Sequence, residues 1–421
     1  MAPEDLLVQM KVAVFHPGTQ HSWQTSLALQ DLDRLAWYAT SIFYQPGKFP
    51  YSLEQMVPKA VAVRLHARFK RFSHPRLDPA LVRTSGLTEW FERIAARAGW
   101  RKAAHWLDVM GNHSFTRALA ADIRSNQPFA LWGYNGSSLG SFVMAQDMGR
   151  RCILDRTIGD FRYYNARMAE LHEEFGEWFL PTERAIGSEQ IERDQREFEL
   201  SDVILLGSEF AANTIRLHAG DAVAAKVRVL NYCYDEALFA NQPAPRPVPK
   251  DGPVKFLFIG QINPRKGIHH LLEAMARVPK ERASLTIVGD LRIPQAVFSR
   301  YADRVTYVPT VARSDIPAIM ADHHCLIFPS YFEGSALSLL EGLASGLAII
   351  QTPMSGMGVT PRTGIMLEKP DTAALHHAIE RVTEQREQLD SWRAAAQAEA
   401  AAYSFSNYRA RIASLLDDLA I

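Results

Sequence analysis

Short, continuous apolar runs punctuate this chain, and stretches with helical spacing fill the gaps between them. In the first half the runs are "KVAVF" (11–15), which ends at the turn "HPGTQ", then "FALWGY" (129–134), "RCILD" (151–155), "DVILLGS" (202–208) and "KVRVL" (226–230). Helical spacing follows in "SSLGSFVMAQDMG" and "SEFAANTIRLHAG". The second half repeats the alternation: "VKFLFIG", "ASLTIVGD", "HCLIFPS", "LAIIQT" and "GIMLE" read as strands, and "KGIHHLLEAMARV", "RSDIPAIMAD" and "GSALSLLEGLAS" as helices. Apolar strands alternating with amphipathic helices predict parallel sheets covered on both faces. The proline-rich joint "NQPAPRPVPKDGP" (241–253) continues neither element. The pattern therefore predicts two doubly wound α/β domains, residues 1–240 and 254–403, with 404–421 as one further amphipathic helix. Such domains would face each other across a cleft at the carboxyl ends of their strands, where ligands of open α/β sheets bind.

Length agrees, because 421 residues exceed one ordinary core. Lys plus Arg (46) equals Asp plus Glu (46), so overall charge points to neither nucleic acid nor membrane. Cys152, Cys233 and Cys325 have no CxxC spacing and read as reduced core residues of a cytosolic protein. The start "MAPEDLLVQM" is acidic and lacks the apolar region of a secretory signal, and no run is long enough to span a bilayer. The expectation is a soluble cytoplasmic protein.

Candidate chemistry sits in two loops of the second half. After strand 254–259 comes "GQINPRKGIHHLLEAM". Gly260 permits a tight exit, and Gly267 opens the helix. Arg265 and Lys266 sit at the helix entrance, where unpaired N–H groups already favour an anion. Two cations there suit a diphosphate; a solvated basic turn would look the same. The GxxxxGK[ST] spacing of a P-loop is absent. In "FPSYFEGSALSLLEGLASG", Glu333 falls in the loop after a buried strand, and Ser335, Ala336 and Leu337 would offer helix N-terminal N–H groups to phosphate. Glu341 lies inside the helix, roughly 80° around from Glu333. A carboxylate buried among Gly342, Ala344, Ser345 and Gly346 is costly, and ligand hydroxyls would account for it. A helix-dipole role for Glu333 and a salt bridge for Glu341 is the plainer alternative.

The two glutamates eight positions apart in "FPSYFEGSALSLLEGLASG", preceded by "FLFIGQINPRKGIHHLLEA" and "LTIVGD", resemble glycosyltransferase family 4. The resemblance is dense over residues 254–367. It extends to "EFELSDVILLGSEFAANTI" (197–215) and to "YSFSNYRARIASLL", similar to the family's final helix, which returns to the first domain. It implies the GT-B fold, two Rossmann-like domains, and a retaining transferase using a nucleotide diphosphate sugar, UDP- or GDP-linked, without a metal or other cofactor. It also implies roles: Glu333 near the reacting carbon of the donor sugar, Glu341 on the ribose hydroxyls, Arg265 and Lys266 on the diphosphate, and Gly18 in a loop beside the phosphates. The family is thought to react by attack on the face from which the leaving group departs, so no enzymic nucleophile is required. Many members carry a histidine–aspartate pair after the fourth strand. Here "CILDRTIGDFRYY" places Leu154 before Asp155, which leaves Asp155, or Asp160 on the next turn, as the catalytic acidic group.

Several other features read as bland. "DLD" at 31–33 lies in a helical stretch, and His269–His270 and His323–His324 lack metal-ligand spacing and read as helix-surface and strand-start residues. "GYNGSSLG" does not fit GxGxxG. One segment departs from neutrality: Lys59 to Lys102 carries eleven Lys/Arg against Asp78, Glu89 and Glu92, a net of about +8. Within it Val61, Leu65, Phe69 and Phe72 share a helical face beside Arg64, Arg68, Lys70 and Arg71. That arrangement suits an anionic membrane surface, or a helix packed on its own domain. The expected function is transfer of a sugar to a glycan or lipid-linked acceptor in surface-polysaccharide assembly at the cytosolic membrane face, with no nucleic-acid partner. The alternatives are a catalytically silent nucleotide-sugar-binding subunit partnering another transferase, and a sugar-nucleotide epimerase.

Overall fold

The apolar runs do form two parallel sheets in the computed structural model, which describes residues 9–18, 21–49, 51–70, 72–84 and 115–421. The first sheet consists of β1 (Lys11–Phe15), β2 (Leu35–Thr40), β3 (Val82–Thr84), β4 (Phe129–Tyr134), β5 (Cys152–Arg156), β6 (Val203–Leu206) and β7 (Val227–Val229), in the order β3-β2-β1-β4-β5-β6-β7. The second consists of β8 (Val254–Ile259), β9 (Ala283–Val288), β10 (Val305–Val308), β11 (Cys325–Phe328), β12 (Ala348–Gln351) and β13 (Gly364–Met366), ordered β10-β9-β8-β11-β12-β13. Every strand pair of the second sheet is parallel. In each sheet the order reverses once, between β1 and β4 and between β8 and β11. Parallel strands at such a reversal send their loops apart and leave a crevice at their carboxyl ends.

Helices used below are α1 (Ser22–Asp31), α2 (Lys59–Lys70), α3 (Leu139–Asp147), α4 (Phe161–Phe175), α5 (Ser188–Leu200), α6 (Glu209–His218), α7 (Ile268–Ala276), α8 (Leu337–Ala344), α9 (Thr372–Glu384), α10 (Arg386–Ala400) and α11 (Phe405–Asp418). The chain divides into two compact units, Met1–Asp155 with Glu192–Ile204 and Arg409–Ile421, and Arg156–Ile191 with Leu205–Tyr408. Residues 241–253 lie inside the second unit. The stretch runs along α10, with Val248 N–H on the Asp390 carboxylate at 2.9 Å and Arg386 donating to the Gly252 carbonyl at 2.6 Å. Residues 409–421 belong to the first unit, where Arg409 reaches Asp31 at 3.2 Å.

The core of the second sheet joins Phe256, Phe258, Ile287 and Ile327 to Leu271 and Met275 of α7 and to Ile379 of α9, all fully buried. In the first unit, the crevice at the β4 end is occupied by the protein itself. Glu197, on α5 and without exposed surface, accepts the N–H groups of Gly136 at 2.8 Å, Ser138 at 2.9 Å and Leu139 at 3.1 Å. A carboxylate thereby caps α3, whose Ser138 makes no side-chain cap, so "GYNGSSLG" is an anion nest with a resident anion.

Two expectations are corrected. Phe69 and Phe72 cannot enter a lipid headgroup layer, because they are buried with Ile42 and Tyr51 in a satellite cluster against which Leu65 packs. Only Val61 of that set is exposed; the side chains of Arg68, Lys70 and Arg71 lie outside the described residues. His269 and His270 are not on a helix surface either: α7 is buried on nearly all sides, and they are 0% and 6% exposed. His323 is likewise buried, bonding the Ile319 carbonyl at 2.7 Å and the Thr286 hydroxyl at 2.8 Å. No helix among the described residues is long and apolar enough to cross a membrane, and the three cysteines are buried and unbridged.

Candidate functional site

The loops after β8 and β11 meet at the switch point of the second sheet, and glycines let them close. Gly260 leaves β8 with φ +151°, where a Cβ would lie 3.3 Å from the Lys266 side chain. Asn263 accepts the Lys266 N–H at 3.1 Å and so caps the turn Pro264–Lys266. Gly267 then takes a left-handed φ of +67°, and a Cβ there would stand 2.1 Å from the Pro329 carbonyl oxygen. Gly334 is equally constrained, since its Cβ would meet the Thr157 carbonyl at 1.8 Å. Phe332, next in line, is buried against Tyr163, Tyr164 and Phe210.

This closure brings three expected residues together. Glu333 Oε1 accepts from Arg265 Nη1 and from Lys266 Nζ, each at 2.7 Å, and from the Ser330 hydroxyl at 3.3 Å. Arg265 Nη1 also donates to the Phe332 carbonyl at 2.6 Å, and Lys266 Nζ lies 4.4 Å from the Phe328 ring centroid. All three side chains are at most 15% exposed. Burial alone would raise the Glu333 carboxyl; the adjoining Lys266 and Arg265 charges outweigh it and hold the group below its ordinary range. The cluster keeps one net positive charge in a site largely closed to water.

Glu341 stands deeper, on α8, 5% exposed. Its Oε1 accepts from Arg313 Nη2 at 2.7 Å, but that arginine is half exposed, and burial pushes the Glu341 carboxyl above its ordinary range. At the start of α8 the Ala336 N–H is already taken by the Ser355 carbonyl at 3.1 Å. No backbone carbonyl among the described residues takes the N–H groups of Ser335 or Leu337.

A chain of hydrogen bonds fixes the loop that carries Glu333. Tyr331 N–H donates to the Arg265 carbonyl at 2.8 Å, and its hydroxyl meets His270 Nε2 at 2.6 Å. His270 Nδ1 meets the Thr372 hydroxyl at 2.7 Å, and that hydroxyl donates to Glu273 Oε2 at 3.0 Å. Because the Thr372 proton goes to Glu273, Thr372 accepts from His270 Nδ1–H, and Nε2 must accept from Tyr331. Burial keeps His270 neutral, lowering it to about 4, and pushes the Tyr331 phenol well up, as this direction of donation requires.

The remaining expected residues lie elsewhere. Gly18 follows β1 in the first unit, and a Cβ there would come within 2.9 Å of the His16 ring. Asp155 is fully buried on β5, accepting from the Trp132 indole at 3.4 Å, so it exposes no oxygen to a substrate. Asp160 caps α4, bonding Arg162 N–H at 2.7 Å and pairing with its guanidinium. Asp31 of "DLD" ends α1 and pairs with Arg76 and Arg409. Sequence reading missed the role of Arg313, which lies in the short helical turn Arg313–Asp315 at the head of "RSDIPAIMAD" and carries no motif, and the Tyr331–His270 chain, whose members are far apart in sequence.

Residues 253–385 match the family described as "Glycosyl transferases group 1". The glycogen synthase of Mycobacterium tuberculosis is 26% identical over 144 residues, 32% of this chain and 35% of that protein. The O-antigen chain mannosyltransferase B of Escherichia coli is 28% identical over 148 residues, 32% of this chain and 38% of that protein. The chain thus spans about a third of the length of these relatives. Among solved structures, Anabaena HepE in complex with UDP superposes with a TM-score of 0.60 at 13% identity, covering 97% of this chain and 100% of that one. The two parallel-sheet α/β domains are those of the GT-B fold.

Proposed function

We propose that this chain is a retaining glycosyltransferase of the family 4 type. It would take a sugar from a nucleoside diphosphate, UDP- or GDP-linked, and pass it to a hydroxyl of a glycan or lipid-linked acceptor in surface-polysaccharide assembly. The observation that carries the reading is the buried Arg265–Lys266–Glu333 cluster at the sheet's switch point, within the segment that matches the transferase family. Arg265, Lys266 and the N–H groups of Ser335 and Leu337 stabilise the diphosphate as it departs. Glu333 turns from the cations to the sugar, and Glu341 receives the ribose hydroxyls. The acceptor oxygen closes on the face the diphosphate leaves, and its proton goes with the diphosphate, so no protein nucleophile takes part. The UDP bound to HepE and the sugar-transferring names of the relatives support this reading.

One observation favours a second reading, a donor-binding subunit without its own turnover: Asp155 and Asp160, the two acidic candidates of the first half, are both spent on packing and capping. A thermal-shift panel of UDP-, GDP-, ADP- and dTDP-sugars identifies the donor, since binding to the folded state raises its stability. Donor turnover by the purified chain then separates the readings. No stabilisation by any of them refutes both.

Membrane contact, if the acceptor is lipid-linked, falls to exposed Phe49, Met56 and Val63 beside Lys59 and Arg64, not to the buried Phe69 and Phe72. Co-sedimentation with anionic vesicles, lost on changing Lys59 and Arg64 to Gln, supports that contact. Equal binding by the variant refutes it.

A further inference from the structure

Helix α4 and the loop that follows it line a cavity of about 180 Å³, open to solvent on one side, that the Arg265–Lys266–Glu333 cluster leaves unused. Tyr164, Met168 and Ala169 line it from one face of the helix, at i, i+4 and i+5, and Phe179, Glu183 and Ala185 from the loop. Ala169 and Ala185 are exposed at its mouth, while Met168 and Phe179 are buried at its back. Its walls are mostly apolar. A dry cavity of about 150 Å³ accommodates one benzene ring, so this volume suits a single six-membered ring with a small substituent.

One polar atom inside lacks a partner. Glu183 Oε2 is buried and accepts no hydrogen bond. Two of the polar groups beside it, Asn165 and Arg184, are already committed, while the His172 ring, which also lines the cavity, lies against Phe179. The Asn165 amide bonds the Ile186 carbonyl and N–H at 2.8 and 2.9 Å. The Arg184 guanidinium turns to the Pro181 and Glu183 carbonyls at 2.6 and 2.7 Å, away from the carboxylate. Burial raises the Glu183 carboxyl, and the Leu180 backbone together with the charges of Arg265, His172 and Arg292 offsets this only in part. A buried acceptor without a donor is costly, and a ligand hydroxyl would relieve that cost.

We propose that this cavity binds the ring end of a hydroxyl-bearing acceptor, with the ring between Tyr164, Met168 and Phe179 and its hydroxyl donating to Glu183 Oε2. The carboxylate makes the cavity selective for a hydroxylated ring over the bare hydrocarbon. The field of Arg265 reaches both Tyr164 and Glu183, which ties the cavity electrostatically to the donor cluster. That the bound hydroxyl is the one glycosylated rests on the function proposed above; binding of the ring does not.

The test is ligand-observed NMR on the full chain with cyclohexanol, phenol and benzene as probes. Wild type should bind the two hydroxylated rings about tenfold or more tighter than benzene, the factor expected of one hydrogen bond to a carboxylate. Ala169→Phe, at the exposed mouth, should abolish binding of all three. Glu183→Leu should keep benzene and lose the preference. The unchanged thermal shift of both variants with nucleoside diphosphate checks that they are folded. Absence of saturable binding to wild type, binding that survives Ala169→Phe, or a preference that survives Glu183→Leu overturns the proposal. A wild type that binds cyclohexanol but no nucleoside diphosphate retains the cavity and refutes the glycosyltransferase reading. The opposite pattern refutes the cavity alone.

Discussion

Changing Glu333 to Gln should weaken the empty protein and strengthen its grip on a diphosphate. In the structure one carboxylate oxygen satisfies both Arg265 and Lys266 at 2.7 Å. A diphosphate drawing on the same two nitrogens must lie roughly 4–5 Å from that oxygen, a separation at which like unit charges repel by about 3–4 kcal/mol at an effective dielectric constant of about 20. Wild type relieves this only by moving Glu333. Glutamine keeps the shape and removes the charge, so nucleoside diphosphate affinity should rise about tenfold or more, a gain of at least ~1.4 kcal/mol. The empty variant loses a buried ion pair and should be about 3 kcal/mol less stable, the low end for stranding buried charges, since the glutamine oxygen still accepts from one of them. Calorimetry with the nucleoside diphosphate and the nucleoside, on both proteins, separates charge from contact: only the diphosphate should gain. Turnover should fall, because the group proposed to face the sugar is gone. A tenfold loss of diphosphate affinity, or equal changes for diphosphate and nucleoside, would falsify the idea that Glu333 holds the phosphate-binding cations in reserve.

The remaining predictions concern the surroundings of that cluster. Glu341→Gln should change stability at pH 7 by less than about 1 kcal/mol, because half-exposed Arg313 can return to water, yet weaken nucleoside binding about tenfold; denaturant melts and calorimetry decide it. The Glu341 carboxyl is raised, so its charged form costs stability at neutral pH, and that cost should disappear as pH falls through the raised value toward the ordinary 4.5 in wild type but not in the variant. Tyr331→Phe leaves His270 Nε2 without its donor and frees the Glu333 loop; kcat should drop with KM for the donor nearly unchanged, and a parallel rise in KM would argue against a positioning role. His16, His270 and His324 are lowered from 6.5 to about 4 by burial. The unfolded chain therefore takes up protons first, and folding stability should fall between pH 6.5 and 4; denaturant midpoints that stay flat over that range would contradict it.

What could be read from the sequence was whatever repeats at short range. "VKFLFIG" and "HCLIFPS" became β8 and β11 because a β-branched or aromatic apolar run bounded by Gly or Pro has few other solutions. The loops after them carried Arg265, Lys266 and Glu333 to one place because both leave the carboxyl end of a parallel sheet at its point of reversal. Other features escaped for equally physical reasons. "LAWYAT" forms β2 directly after α1, with no Gly or Pro to separate strand from helix. The edge strand β10 is mostly exposed, so "VTYV" lacks a buried run. The apolar stripe of α2 has the spacing of a membrane-surface helix, and only the positions of Ile42 and Tyr51 reveal that it is covered by its own unit. Glu341 showed itself by being out of place, but its partner Arg313 lies 28 residues upstream, in a short helical turn that no motif marks.

The first sheet has a switch-point crevice of the same kind as the second, and Glu197 has made it a permanently filled socket. Three N–H groups converge on a side chain the backbone cannot release, so the socket is closed to exchangeable anions without any clash or repulsion to exclude them. The chain therefore has two crevices of related origin, one plugged by the Glu197 carboxylate on backbone N–H groups and one where the Glu333 carboxylate pairs with two cations. Shortening residue 197 to glycine would leave a vacancy shaped like a small carboxylate. Acetate or formate at millimolar concentration could then re-enter as a soluble replacement part, restoring from solution a joint that the wild-type chain supplies from its own helix.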